Sequence, residues 1–207
     1  MVALRSVKSN IVKKRTLKVP DNLIWEVLDG KPLYRKGYKD VLRKLKTLEE
    51  IMGTSSWQSL LCDHITRLLH RYLDEKEYDV LINELGIHFE KGDNVSSDIC
   101  IVPRLTAEQI TKKYANFAPK IIIEVDLDID TEDMNDVEYI HKKTQKLLDF
   151  GVEKVIWILT FSKKVMVATP ENDWIISNWN RDIEILNGIK FNIENYLEER
   201  GVNADNL

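Results

Sequence analysis

The sequence predicts an α/β or α+β fold in which a mixed β-sheet is flanked by helices. Segments rich in strand-forming residues lie on both sides of two segments with helical periodicity. The nearly unbroken apolar run "PKIIIEVDL" is typical of a central strand that is covered on both faces. With 207 residues, 43% of them hydrophobic, the chain is long enough for one globular domain with a well-filled core.

The first predicted element is an N-terminal β-hairpin over residues 23–37. Two runs of strand-forming residues are joined by Asp29 and Gly30, a pair that suits the positive backbone angles of a tight turn. Glu26 shares a face of the first run with Ile24 and Leu28. A carboxylate therefore accompanies the apolar face of the hairpin.

The remaining elements follow from periodicity and from residues that end helices. A core helix is predicted from Ser55 to Leu73, with a serine available as its N-cap. Strands are predicted around residues 80–82, 87–89 and 99–102. A second helix should run from about Asp136 to Phe150 and end at Gly151. A strand pair over residues 152–168 and a short terminal helix over 193–200 complete the prediction.

Charge divides the chain into a basic arm (1–20), one domain (21–200) and a C-terminal tail (201–207). The first 18 residues carry six basic side chains and no acid, whereas eight acids lie between Glu124 and Glu138, and the net charge is -4. This separation suggests a polyanion partner and a cation site, with Lys13, Lys14 and Arg15 as candidate nucleic-acid-binding residues. The same arm can also be read as a solvated terminus.

Composition bounds the location of the protein as well. No apolar stretch is long enough for a membrane span or a secretory signal, so we expect a soluble, cytoplasmic protein without a membrane partner. Cys62 and Cys100 lie among apolar neighbours, which favours inert buried thiols over a disulfide or a metal site.

Two acids, Glu124 and Asp98, interrupt or adjoin apolar strands. If their strands are neighbours, the two carboxylates lie close together, and like charges about 4 Å apart repel by ~4 kcal/mol at an effective dielectric constant near 20. Such a pair needs a proton or a cation between its members, and hard oxygen ligands suit Mg²⁺ or Mn²⁺. The alternative for Glu124 is a strand-end carboxylate satisfied by a neighbouring basic side chain.

The helix after Glu124 carries a candidate third residue, Lys143. A helical projection gives an apolar stripe and puts Lys143 at its edge, whereas Lys142 points to solvent; the stripe consists of Val137, Ile140, Thr144, Leu147, Leu148 and Gly151. A lysine at such an edge commonly extends its ammonium to solvent. Beside Glu124 and Asp98, the ammonium could instead reach the acid pair.

Three segments in order, "SSDICIV", "KIIIEVDLDIDTED" and "YIHKKTQKLLDFGVEKVIWIL", resemble the Uma-type family of "putative restriction endonucleases" within the PD-(D/E)XK nuclease superfamily. The segments "WEVLDGKPLY" and "SSWQSLLCDHITRLLHRYL" extend the similarity, which spans about residues 23–196. The family pattern is an Asp-bearing strand, a Glu-Val strand, a Lys-bearing helix and a Trp-bearing strand. The resemblance implies a restriction-endonuclease-like core.

The resemblance also implies roles for individual residues. Asp98 and Glu124 would hold Mg²⁺ with the backbone carbonyl of Val125, and Lys143 would replace the superfamily lysine that normally lies two residues after the glutamate. Glu26 and His64 would line the site. Asp126 occupies the usual lysine position, and Ser97 stands where the family has proline.

The implied function is metal-dependent hydrolysis of nucleic-acid phosphodiester bonds, with DNA favoured over RNA. Cleavage of both strands of a duplex would favour a homodimer. The alternative is a non-catalytic DNA-binding or protein-interaction module on the same fold, since fold alone does not establish activity.

Overall fold

The structure, a computed structural model, describes residues 19–126 and 135–203. Eight strands form a mixed sheet with helices on both faces, which confirms the predicted fold class. The strands of this sheet are β1 (Ile24–Leu28), β2 (Lys31–Tyr34), β3 (Tyr78–Glu90), β4 (Asp93–Pro103), β5 (Ile121–Val125), β6 (Lys154–Leu159), β7 (Lys164–Ala168) and β8 (Ile175–Asn178). Two further strands are β9 (Ile183–Leu186) and β10 (Ile189–Phe191). The helices are α1 (Tyr38–Leu42), α2 (Ser56–Tyr72), α3 (Asp136–Phe150) and α4 (Ile193–Glu199).

The sheet runs in the order β2-β1-β4-β5-β6-β7-β8, and β3 pairs with the other edge of β4. Strands β9 and β10 form a separate two-stranded sheet. The pair β5 and β6 is parallel, and α3 makes the crossover between them; the other pairs are antiparallel. This connection puts α3 against the same strands that carry the candidate acids.

Two apolar layers cover the sheet. One face packs against α2, α4 and the β9–β10 pair through residues such as Leu61, Ile65 and Phe191. The other face packs against α3 and the hairpin through residues such as Leu28 and Leu147. All five residues of β5 are buried, as expected for a strand covered on both faces.

The predicted hairpin and helix boundaries are confirmed. Asp29 and Gly30 both have positive φ angles, 53° and 71°, at the turn between β1 and β2. Ser55 caps α2 by accepting the backbone N–H of Gln58. Gly151, with a φ of 113°, ends α3.

Two details of the sequence prediction are wrong. The strands around residues 80–82 and 87–89 form one strand, β3, which Gly86 does not interrupt; the irregularity lies at Asn83 and Glu84, whose φ angles are positive. The buried stripe of α3 also differs, because Val137 is 75% exposed. The buried side chains of this helix are Tyr139, Ile140, Lys143, Thr144, Leu147 and Leu148.

Helix α1 and strands β8, β9 and β10 were not predicted. Helix α1 and strand β8 have five and four residues, too few to show a hydrophobic period. Strands β9 and β10 did carry a local signal, because Asn187 and Gly188 between them have positive φ angles and form a pair typical of hairpin turns. Among the residues that the structure describes, no helix combines the length and the apolar character needed to cross a membrane.

Candidate active site

The candidate site fills a gap along one edge of β4. This edge pairs with β1 at Asn94 and with β5 from Ile99 to Ile101. Between these pairings the backbone of Ser96 is bonded by side chains instead of a strand. Its N–H donates to Glu26 Oε1 at 2.9 Å, and its carbonyl oxygen accepts from Lys143 Nζ at 2.7 Å. The gap in the strand pairing is therefore what admits charged side chains into the interior.

Glu26 is the centre of a buried polar network. It is 2% exposed, and its Oε1 accepts from Lys143 Nζ at 2.9 Å and from the Ser96 hydroxyl at 3.1 Å. Its Oε2 accepts from the Tyr139 hydroxyl at 2.7 Å. Because every polar contact here joins the hairpin to β4 or α3, Glu26 fixes three elements relative to one another.

Lys143 lies in the protein interior, whereas the helical projection placed it at the edge of the apolar stripe of α3. The residue is 3% exposed, and its Nζ lies 2.9 Å from Glu26 Oε1 and 3.1 Å from Glu124 Oε1. The neighbouring Lys142 pairs with Glu138 on the exposed side of α3, as the helical projection predicted. Residues Tyr139 and Lys143 are four positions apart and project together toward Glu26.

Glu124 is buried but not fully satisfied. Its Oε1 accepts no well-directed hydrogen bond, although Lys143 Nζ lies 3.1 Å away. Burial is the main reason why the pKa of Glu124 is raised to about 8; the attraction of Lys143 opposes this effect, and repulsion from Asp98 and Glu26 adds to it. Without a bound metal ion, this carboxyl therefore retains its proton at neutral pH.

Two other pKa values in the network are shifted by the same environment. Burial lowers the pKa of Lys143, but attraction by Glu124 and Glu26 outweighs this effect and holds the pKa well above its usual value. Burial, followed by the negative charge of Glu26, raises the pKa of Tyr139. Near neutral pH, Lys143 therefore stays protonated and positively charged, and the Tyr139 hydroxyl stays protonated and can donate a hydrogen bond.

Asp98 lies beside the carboxyl end of β5. Ile99 pairs with Ile123, so Asp98 is one position beyond the last paired residue, on the side of Glu124. Its Oδ2 accepts the backbone N–H of Val125 at 2.7 Å. The two acids are therefore on neighbouring strands, as predicted, and near enough for the charge of Asp98 to raise the pKa of Glu124.

Two cavities are lined by residues of this network. One, of about 330 Å³, is lined by Asp98 together with Gln58 and Asn83. The other, of about 370 Å³, is lined by Glu26 and Ser96. Asp98 and Glu26 are thus the acids of the network that line these cavities, and Glu84 lines both.

Some residues predicted for the site lie elsewhere. The ring of His64 stacks on Tyr196 of α4, with 3.6 Å between the ring centroids. Burial lowers its pKa, and the charged groups that act on it are Glu199, Asp63 and Arg200. The described contacts therefore do not bring His64 together with the acid pair; α2 turns this side of its surface toward the terminal helix.

Asp126 has a structural role at the end of β5. Its φ angle is 59°, and its carboxylate accepts the backbone N–H of Thr160 at 2.7 Å and the Thr160 hydroxyl at 2.6 Å. The acids Asp128 and Asp130 lie outside the described residues, as do the arm residues Lys13, Lys14 and Arg15.

Sequence reasoning missed two members of the network, Ser96 and Tyr139. Tyr139 could have been found, because it lies four residues before Lys143 and therefore on the same helical face. Ser96 contributes its backbone N–H and carbonyl as well as its hydroxyl, and no residue pattern marks a backbone that lacks a strand partner. Burial was predicted for both cysteines; Cys100 is buried, whereas Cys62 is half-buried.

Among the described residues, no group of three or more His, Cys, Asp and Glu side chains has an arrangement that could hold a metal ion. The predicted ligand set contains only two side chains, Asp98 and Glu124, and a backbone carbonyl. Any metal ion at this position would rely on water or substrate for its remaining ligands.

Comparison with known families identifies the group to which this architecture belongs. Residues 47–192 match the family described as "Uma2: Putative restriction endonuclease". The chain belongs to the Uma2 family. This match confirms the resemblance to the Uma2 family. The matched range contains Asp98, Glu124 and Lys143 and begins after the hairpin that carries Glu26.

A solved structure supports the Uma2 fold. The chain is similar to a "putative nuclease belonging to DUF820 from Anabaena variabilis ATCC 29413", with a TM-score of 0.59 and 14% sequence identity. The similarity covers 84% of this chain and 89% of the other. At this identity the comparison shows a shared fold. None of the curated proteins matches the chain.

Proposed function

We propose that this Uma2 protein is a metal-dependent endonuclease that hydrolyses nucleic-acid phosphodiester bonds, with DNA as its substrate. The observation that carries the proposal is the convergence of Asp98, Glu124 and Lys143 at one gap in the sheet. These residues come from β4, β5 and α3. Buried acids beside a buried cation are typical of sites whose pKa values are tuned for chemistry.

The donor set fits a hard divalent cation. Glu124 Oε1 is buried and accepts no well-directed hydrogen bond, and the nearby charge of Asp98 disfavours two ionised carboxylates without a compensating cation. We propose that Asp98, Glu124 and the carbonyl of Val125 hold Mg²⁺ or Mn²⁺. When bound, such an ion lowers the pKa of a water molecule and polarises a phosphate.

Lys143 would act on the reacting groups from the α3 side. Two of its N–H donors are directed at Glu26 and Ser96, and the third faces Glu124. This third donor is the one available to an attacking water or a phosphoryl oxygen. Its positive charge would offset the charge that grows on the phosphoryl oxygens during hydrolysis.

Glu26 would position Lys143 and not touch the substrate. Its two oxygens bind Lys143 and Tyr139, so it holds the ammonium in place from the side opposite Glu124. We do not assign His64 to the site, because it stacks on Tyr196. The basic residues Lys13, Lys14 and Arg15 remain proposed nucleic-acid contacts, and cytoplasmic location and homodimer formation remain predictions from the sequence.

The test is nicking of supercoiled plasmid DNA in the presence of MgCl₂ or MnCl₂. Asp98→Asn and Glu124→Gln should each abolish nicking, and neither should gain thermal stability from the metal, whereas the wild-type protein should gain it. The matched control is Glu198→Gln, which removes one exposed carboxylate from α4, far in sequence from Asp98 and Glu124.

A wild-type protein that neither nicks DNA nor gains stability from Mg²⁺ or Mn²⁺ would contradict the proposal. If such a protein still binds DNA, the non-catalytic module is the better description. Nicking that survives in both acid variants would mean that the reaction takes place at another site or belongs to a contaminant.

A further inference from the structure

Arg35, at the end of the hairpin, is held in an unusual setting. Its guanidinium carbon lies 4.2 Å from the centroid of the Trp25 ring. Its backbone N–H donates to the carbonyl of Leu23 at 2.9 Å, which ties it to the residue that precedes β1. Its Nε is buried and has no hydrogen-bond partner among the described groups. Stacking holds the face of a guanidinium and leaves the N–H donors at its edge available.

The position of Arg35 relates it to the candidate active site. Arg35 lines the cavity of about 370 Å³ that also contains Glu26 and Ser96. It also lines a second cavity, of about 380 Å³, together with Lys36 and Asp126. Since Asp126 follows Glu124 by two residues, the two basic side chains flank the carboxyl end of β5.

These two residues belong to a basic segment that sequence analysis did not single out. Residues 31–46 contain seven basic side chains and one acid, Asp40. Most of the basic side chains are exposed or half-buried, and Lys46 lies 3.8 Å from the lone acid. The segment gives a positive surface next to cavities that also carry carboxylates such as Glu50.

We infer that Arg35 and Lys36 form a phosphate-binding site for the nucleic-acid backbone, in the cavity that they share with Asp126 at the end of β5. The guanidinium would bind a phosphodiester through two N–H donors, and Lys36 would contribute charge. The inference rests on the proposed function for the nature of the polyanion. It adds a contact surface to that function, because a fixed phosphate determines where the backbone lies relative to Glu124.

Binding of a fluorescein-labelled DNA duplex to the full chain, measured by anisotropy in EDTA over a series of salt concentrations, tests the inference. Arg35→Gln should weaken binding by roughly tenfold at low salt, because the variant cannot make the charge-assisted hydrogen bonds to phosphate. The slope of log K against log salt should become shallower by about 0.9. Lys36→Gln should change the slope in the same direction.

The matched control is Arg200→Gln. Arg200 also lies over an aromatic ring, that of Tyr196 at 5.7 Å, but on α4. Both substitutions remove one guanidinium from an aromatic face, so equal salt slopes for the two variants would overturn the inference. An RNA duplex in a parallel titration shows which nucleic acid the surface prefers.

The outcome is independent of catalysis. A slope change in Arg35→Gln supports the inference even if the wild-type protein nicks no plasmid. Conversely, nicking with an Arg35→Gln slope like that of the control would overturn the inference and leave the nuclease proposal intact. If Arg35→Gln melts far below the wild type, DNA binding is measured with Arg35→Lys and with the exposed Lys36→Gln instead. An unchanged slope of log K against log salt in Lys36→Gln would then count against the site.

Discussion

Glu124 is a carboxyl whose protonation is decided by its surroundings. It is 4% exposed, and burial together with nearby Asp98 and Glu26 raises its pKa, while Lys143 lowers it. Because a metal ion can bind this carboxylate only after the proton has left, we expect metal binding to release a proton and to weaken as pH falls. The same burial makes its effect on stability depend on pH.

We predict that Glu124→Gln changes the pH dependence of stability without metal. The pKa of Glu124 is about 8 in the folded protein, against an ordinary value of 4.5. Between these values the folded state holds a proton that the unfolded state has released, so the free energy of unfolding falls as pH rises through this window. Glutamine cannot lose a proton, and the variant should therefore lose less stability than the wild type between pH 4.5 and 8.

Urea unfolding in EDTA across this window checks the prediction, with Glu198→Gln as the control for removal of an exposed carboxylate. Parallel curves for the wild type and Glu124→Gln would show that Glu124 is already ionised in the folded protein.

Neighbouring lysines of α3 should differ sharply in their effect on stability. Lys143→Met leaves Glu26 as a buried carboxylate without its cation, and such a loss costs about 3–5 kcal/mol. Lys142→Met removes only an exposed pair with Glu138 and should change stability little. Adding Glu26→Gln to Lys143→Met should recover part of the loss.

Urea denaturation measures these differences, and plasmid nicking is compared among variants that remain folded. Lys142→Met should nick like the wild type, and Lys143→Met should not. Equal losses of stability in the two single variants would contradict the buried position of Lys143.

At the scale of elements, α3 is attached to the sheet by a hydrogen bond as well as by apolar packing. The Trp157 indole N–H donates to the Thr144 hydroxyl at 2.8 Å, and Thr144 is fully buried. Because Trp157 pairs with Glu124 across β5 and β6, this bond fixes the helix next to the acid. The helix phase that directs Lys143 inward depends on such contacts.

We predict that Thr144→Val destabilises the protein by about 1–3 kcal/mol. Valine has nearly the same shape, but it leaves the Trp157 N–H buried without an acceptor. Thr144→Ser keeps the acceptor and loses one methyl group, which costs about 1 kcal/mol. Urea unfolding of the two variants gives the comparison, and a valine variant as stable as the wild type would mean that this hydrogen bond contributes no net stability.

At the scale of the whole molecule, opposite charges are concentrated in different parts of the chain. Basic residues are concentrated in the arm over residues 1–18 and in the segment 31–46, whereas acids are concentrated between Glu124 and Glu138. A metal-free acidic site repels phosphate, so a cation should favour the approach of nucleic acid.

We predict that DNA binds weakly in EDTA and more tightly in CaCl₂, since Ca²⁺ offsets the carboxylates that face the substrate. Deleting residues 1–18 should weaken binding and make its salt slope shallower by about 0.9 for each phosphate that the arm neutralises. Anisotropy titrations of the full chain and the shortened chain measure both effects. An unchanged slope would identify the arm as a solvated tail, and binding indifferent to Ca²⁺ would favour the non-catalytic module.

Sequence alone was enough for the elements whose signals are local. The hairpin turn at Asp29, the N-cap of α2, the end of α3 at Gly151 and the buried run of β5 follow from backbone preferences and from hydrophobic periods within a few residues. The acid pair was predicted only on the condition that the two strands are neighbours, and the antiparallel pairing of β4 with β5 meets that condition.

Tertiary structure decided what depends on contacts distant in sequence. Glu26 and Lys143 meet across 117 positions, and only the gap between β1 and β5 along β4 brings Ser96 to them. Because of these contacts, Lys143 is a buried cation, whereas the helical projection placed it at the edge of the apolar stripe. His64 stacks on Tyr196 because α2 packs against α4. A helical projection gives the direction of a side chain about its own axis; the desolvation and charge that set its chemistry come from the elements packed against it.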